Sequence, residues 1–242
     1  MKRFVSVLLI MCLMVGAVGC KDREIPDSIA ETSEKIVEDI PAAYKEILAD
    51  IDITLDKMER GNYTVGVDGP WGVADYLWGM GYDEYRSKLG YQVIDINGDG
   101  VDELIIALPL DDKDGYRILN VYTLDGDEAI QVAETYPHSD WYINSDGLFI
   151  NVKLGIVPYY TATVYRFDDN SSNLTEVYSL HNEYIEDTRE VAVYESVNCG
   201  EETMLYITDD PYGTDEVFEY YMDVVDEYAV NVYEFDLVSV FP

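Results

Sequence analysis

Positive charge is scarce in this chain. Only 15 Lys and Arg stand against 49 Asp and Glu, a formal net charge of −34 at pH 7. A surface so acidic repels phosphate backbones, which excludes nucleic acid as a partner. It also repels an anionic membrane surface from the body of the protein. Histidine is rarer still: His138, after Pro137, and His181, expected at a strand end, lie on separate segments and make no zinc signature. There is no Gly-Xaa-Ser-Xaa-Gly nucleophile elbow, and no Gly-rich loop with Lys to cradle phosphate. Paired carboxylates for glycoside cleavage cannot be singled out, because nearly every segment holds two acids. Yet the chain is not a disordered acidic tail. It is 48% hydrophobic and carries 22 Tyr, enough apolar surface to build a core.

The first residues give an address. Met1-Lys2-Arg3 is a positive start, Phe4 to Val18 is apolar and uncharged, and Lys21-Asp22-Arg23 turns polar at once. This is a secretory signal, residues 1–19, whose apolar core is short for a mature membrane span. Its ending, Ala17-Val18-Gly19-Cys20, resembles the lipobox of bacterial lipoproteins. By that resemblance Cys20 becomes the first mature residue and carries the lipid, and the membrane is a partner through acyl chains. The plainer alternative is ordinary signal cleavage beside a chance cysteine. Loss of Lys2 and Arg3 with the signal takes the net charge from −34 to about −36. Cys12 leaves too, so Cys199 is the one free thiol and no internal disulfide forms. It reads as a small buried hydrophobe; a nucleophile there needs a base that only two histidines exist to supply.

A polar tether, residues 20–28, leads to a single globular domain at 29–242. Residues 29–60 read as helical: Tyr44, Ile47, Leu48, Ile51, Leu55 and Met58 recur at helical spacing between Pro41 and Gly61. That stripe fits the protein's own sheet better than a partner helix. Asn62 to Met80 is glycine-rich and reads as irregular. Trp71 and Trp78 fall within it as candidate ligand-binding aromatics, since pyranose faces stack on indoles; the alternative is that they plug the end of a core.

From Gly90 the pattern turns to strands joined by tight turns. Asp125-Gly126-Asp127, Ser145-Asp146-Gly147 and Asn198-Cys199-Gly200 are hairpin signals. A short helix after Thr214 and a strand from Val230 to Phe241 close the chain. No long crossover separates the strands, so the sheet should be antiparallel. The expected class is α+β: mostly an antiparallel β meander of hairpins over residues 90–242, with the N-terminal helix and a short C-terminal helix packed on it. A partial propeller-like or sandwich all-β fold is the alternative, although propellers show repeated units and this chain shows one acidic loop.

That loop runs Asp95-Ile96-Asn97-Gly98-Asp99-Gly100-Val101-Asp102-Glu103 and enters Leu104-Ile105-Ile106. Hard oxygens at alternate positions suit calcium, which takes six to eight of them at about 2.3–2.6 Å. The expected ligands are Asp95, Asn97 and Asp99 through their side chains, Val101 through its carbonyl, and Glu103 closing the shell. Asp102 faces outward. Ile106 stands where an EF-hand has its closing carboxylate, and the flanks favour strands. A plain Asx-rich turn is the competing reading.

Strand–loop–strand spacing of this kind resembles the FG-GAP type of calcium loop. Together with Leu89-Gly90-Tyr91, Val121-Tyr122-Thr123-Leu124-Asp125-Gly126 and Val164-Tyr165-Arg166-Phe167, it is similar to small tyrosine-rich lipoproteins of Gram-positive anaerobes that carry a single such loop. The resemblance implies an anchored surface protein and no established activity. With one loop and no companion repeat, integrin-like adhesion does not carry over. The expected function is a lipid-anchored, extracytoplasmic, monomeric module with one structural Ca2+, binding a carbohydrate or protein or acting as a scaffold, without catalysis. A carbohydrate- or cell-wall-active hydrolase is the alternative.

Overall fold

The computed structural model describes residues 40–64, 69, 71–78, 86–110, 115–136, 138–154, 160–168, 172–209, 223–224, 227, 235 and 237–239. All of them belong to the unit Ile40–Pro242. The signal, Cys20, the tether, the proposed helical stretch before Ile40, most of the segment after Asp209, and the side chains of Trp71 and Trp78 lie outside the described residues.

Helix α1, Ala42–Glu59, follows Pro41, whose fixed φ suits a helix start. It ends in a Schellman turn: Gly61 N–H donates to Met58 O (2.9 Å) and Asn62 N–H to Lys57 O (2.8 Å), with Gly61 at φ +67. Tyr44, Ile51, Leu55 and Met58 are its buried stripe. Helix α2, Trp71–Trp78, corrects the expectation that residues 62–80 are irregular. Its glycine is there for space. A Cβ on Gly72 would collide with Leu119 O and lie 2.5 Å from Asn120 Oδ1, so only glycine lets α2 come this close to the sheet. The Glu134 carboxylate accepts the Gly72 N–H at 3.1 Å, satisfying one open donor of the helix start.

Among the described residues eleven strands form one antiparallel sheet, as expected. They are β1 (Gly90–Ile94), β2 (Glu103–Pro109), β3 (Tyr116–Asp125), β4 (Glu128–Glu134), β5 (Ser139–Ile143), β6 (Leu148–Leu154), β7 (Tyr160–Phe167), β8 (Leu174–Ile185), β9 (Glu190–Val197), β10 (Thr203–Thr208) and β11 (Val238–Ser239). The order is β10-β9-β8-β7-β6-β5-β3-β2-β1-β11: sequential neighbours pair except where β5 joins β3 and β11 returns to β1. Strand β3 divides its outer edge, pairing β4 through Asn120 to Asp125 and β5 at Ile118.

The unbroken apolar run of β2 is explained by its place. Leu104, Ile106 and Leu108 meet α1 and α2 on one face, packed with Tyr44, Leu55 and Leu77. Ile105 and Ala107 point the other way, into a core with Ile118, Val121, Phe149 and Phe167. A strand covered on both faces has no need of alternation. Phe149 and Phe167 pack edge to face at 5.8 Å. Farther along the sheet, Val152, Val164, Leu180, Val191 and Val193 form a further core that also buries Val224. Asp223, Val224 and Glu227 are helical, and the rest of the expected C-terminal helix lies outside the described residues.

Two local expectations fail. Cys199 is exposed rather than buried, because it sits with Asn198 at the tip between β9 and β10, both at φ +53. Such a turn throws its side chains outward. His181 lies inside β8 rather than at a strand end, stacked on Tyr194 at 5.5 Å and 3.8 Å from Glu202.

Candidate metal centre

The acidic loop joins the sheet's most buried strand to its neighbour. Ile94 pairs with Glu103, and the residues between them form the connection from β1 to β2. Gly98 and Gly100 adopt φ +77 and +89. A Cβ on either would meet nothing within 4 Å, so glycine is required here by backbone conformation and not by space.

Around those glycines the loop folds onto its own side chains. Asp95 Oδ1 accepts the N–H groups of Gly98 (2.7 Å) and Asp99 (3.1 Å), and Oδ2 accepts that of Gly100 (2.9 Å). Asn97 Oδ1 shares the Asp99 N–H at 3.1 Å, and its amide donates to Asp99 Oδ2 at 3.2 Å. Asp99 Oδ1 accepts the Val101 N–H at 2.8 Å. Asp95, Asn97 and Asp99 therefore share one side of the turn, and Asp102 is exposed. Asp95 Oδ1 is filled by its two N–H donors, whereas Asp95 Oδ2 and Asn97 Oδ1 accept one each and keep a second lone pair.

Glu103 is different. It is 0% exposed, the only carboxylate among the buried side chains of the described residues. Its Oε2 accepts the Ile96 N–H at 3.0 Å and its Oε1 the Thr123 hydroxyl at 2.9 Å. Burial pushes its pKa up from the ordinary carboxylate value to about 7. The Ile96 and Thr123 donors pull it down, and the charges of Asp99 and Asp95 add to the rise. Two neighbours carry no signal in the sequence pattern. Thr123 on β3 holds Glu103 from across the sheet. Tyr44 on α1, itself 0% exposed, donates its hydroxyl to Asp102 O at 2.7 Å.

No family model, curated protein or solved structure matches the chain. Among the described residues no three His, Cys, Asp or Glu side chains gather into a metal cluster. The donor set nonetheless suits a hard cation: two carboxylates and an amide oxygen on one side of the loop, a backbone carbonyl at Val101, and a buried carboxylate that feels both acids. Soft or borderline ions are poorly served, with neither sulfur nor imidazole present.

Arg117 and Asp140 form a second polar feature. Arg117 Nε lies 2.9 Å from Asp140 Oδ1, and the guanidinium covers the Tyr76 ring at 4.6 Å. Burial raises the Asp140 pKa and Arg117 opposes it. This pair ties β3, β5 and α2 together. Trp141 donates its indole N–H to Glu134 O at 2.8 Å and lies 5.6 Å from the Tyr165 ring.

Proposed function

We propose that the protein is a lipid-anchored, extracytoplasmic surface module whose β1–β2 loop holds one structural calcium ion, and that it binds or scaffolds without catalysis. The observation that carries this reading is Glu103: a buried carboxylate, raised to about 7, with Asp95 and Asp99 close enough to repel it. Side-chain oxygens of Asp95, Asn97, Asp99 and Glu103 and the Val101 carbonyl would hold the ion. A bound divalent cation supplies the positive charge that relieves this repulsion. The sheet then gains a fixed connection at its most buried strand.

The test is thermal melting of the chain with calcium and with chelator. Extracellular calcium modules bind at about 10⁻⁴–10⁻³ M. Ion at about ten times such a Kd adds about 1.4 kcal/mol, a rise in Tm of roughly 3–6 °C for a domain of this size. Asp95→Ala and Asp99→Ala remove the rise. Identical melting in millimolar calcium and in chelator would sink the metal assignment.

The address is supported by the signal and the Ala17-Val18-Gly19-Cys20 ending. No helix among the described residues is long and apolar enough to cross a membrane. Expressed in a bacterium that lipidates its own lipoproteins, the chain takes up labelled fatty acid, and Cys20→Ser does not. An unlabelled wild-type chain removes the anchor.

A further inference from the structure

Strand β10 ends the sheet. Among the described residues it has a strand on one side only, β9. Natural edges are usually blunted by charge or proline, but Thr203-Met204-Leu205-Tyr206-Ile207-Thr208 contains neither. One irregularity is present, a bulge at Leu205. Met204 pairs with Tyr194 and Ile207 with Ala192, so the bulge brings Met204 and Ile207 to one face. Tyr206 and Thr208 make other contacts, whereas Met204, Leu205 and Ile207 remain 53%, 39% and 41% exposed. An apolar row at the rim of a sheet costs solubility unless something covers it.

Charge decides what. The uncharged strand is bracketed by Glu201 and Glu202 before it and Asp209 after it, all exposed. A second copy pairing antiparallel would set its Asp209 beside Glu201 and Glu202, like against like at both ends, and would bring another −34 charges with it. The complementary occupant is an extended segment of another protein with alternate apolar residues and Lys or Arg at its ends. We propose that β10 is a strand-addition site for such a cationic segment. Backbone pairing gives the binding, Met204 and Ile207 are covered by its apolar residues, and the flanking acids fix its register.

The probe is a fluorescent peptide, Lys-Lys-Val-Thr-Val-Thr-Val-Lys-Lys, followed by anisotropy against the full chain. Two controls are its Glu-flanked counterpart and a Lys-flanked peptide with the central residues changed to Gly and Ser. The Lys-flanked alternating peptide binds at least about tenfold more tightly than either control. Met204→Ser and Ile207→Ser, neutral changes at exposed positions, weaken it by roughly tenfold with the melting curve unchanged. Hydrogen exchange at residues 203–208 slows when the peptide binds. Equal binding of the Gly/Ser peptide, or no effect of the serine variants, means mere charge attraction and overturns the proposal. Protection, in the free chain, of those 203–208 amides that do not pair with β9 also overturns it: at all concentrations the chain covers its own edge, and only at high concentration a second copy does.

Discussion

In chelator, the wild-type chain loses about 2–3 kcal/mol of stability through Glu103 between about pH 5 and about pH 8. The sign follows from the direction of the shift. The folded pKa is raised to about 7, so the folded state holds its proton longer than the unfolded chain. The contribution is full below the unfolded value and declines as pH rises through the folded one. Glu103→Gln cannot ionise and lacks this decline. Its amide accepts one of the two donors and faces the other with N–H, which costs about 1 kcal/mol at low pH. The two curves therefore cross: the variant is less stable in acid and more stable above neutrality. Glu103→Ala strands both the Ile96 N–H and the Thr123 hydroxyl and opens a cavity, costing about 3–4 kcal/mol at low pH. Calcium restores the wild type at about pH 8 and leaves Glu103→Gln unchanged. Parallel melting profiles for wild type and Glu103→Gln across this range would show that Glu103 is not the strained group.

This behaviour was half visible in the sequence. Alternating Asp95, Asn97 and Asp99 with glycines between them announces a loop that turns on its own oxygens, because the pattern is local. Spacing alone makes Glu103 a ligand candidate. What the spacing omits is the third dimension: Thr123 lies in the register of β3 that faces Glu103, and no local pattern reports a cross-strand hydroxyl. The hairpins were legible for the same reason the loop was, since Asp125-Gly126 and Asn198-Cys199 encode turns within a few residues. Helix α2 was not. Gly72 lowers intrinsic helix propensity, and the close approach to Leu119 and Asn120 that requires it is a tertiary fact. The residue type of Cys199 predicts burial, and the structure exposes it. The backbone of its turn, and not its hydrophobicity, decides that it faces solvent.

Tyr44→Ala costs about 3–5 kcal/mol, and Tyr44→Phe about 1 kcal/mol, by chemical denaturation of the metal-free chain. The difference separates two jobs. The ring fills the junction between α1 and β2, where it is fully buried with Leu104, Ile106 and Tyr122, and truncation leaves a cavity. The hydroxyl donates to Asp102 O at 2.7 Å, with Tyr122 O 3.3 Å away, and so fixes the last residue before Glu103. Removing only that donor keeps the packing but frees the end of the loop. Amide exchange at Asp102 to Leu104 then speeds up in Tyr44→Phe by several-fold more than exchange in β7 or β8. A uniform change across the sheet, or none at the loop, would reduce Tyr44 to a packing residue. Its contribution is also flat with pH where that of Glu103 slopes. Burial, reinforced by the Glu103 charge, pushes the phenol pKa above its ordinary value, so the hydroxyl remains a donor throughout the range in which Glu103 titrates. Stability profiles of Tyr44→Phe should thus run parallel to wild type while those of Glu103→Gln cross it, which distinguishes the group that holds the loop from the group that strains it.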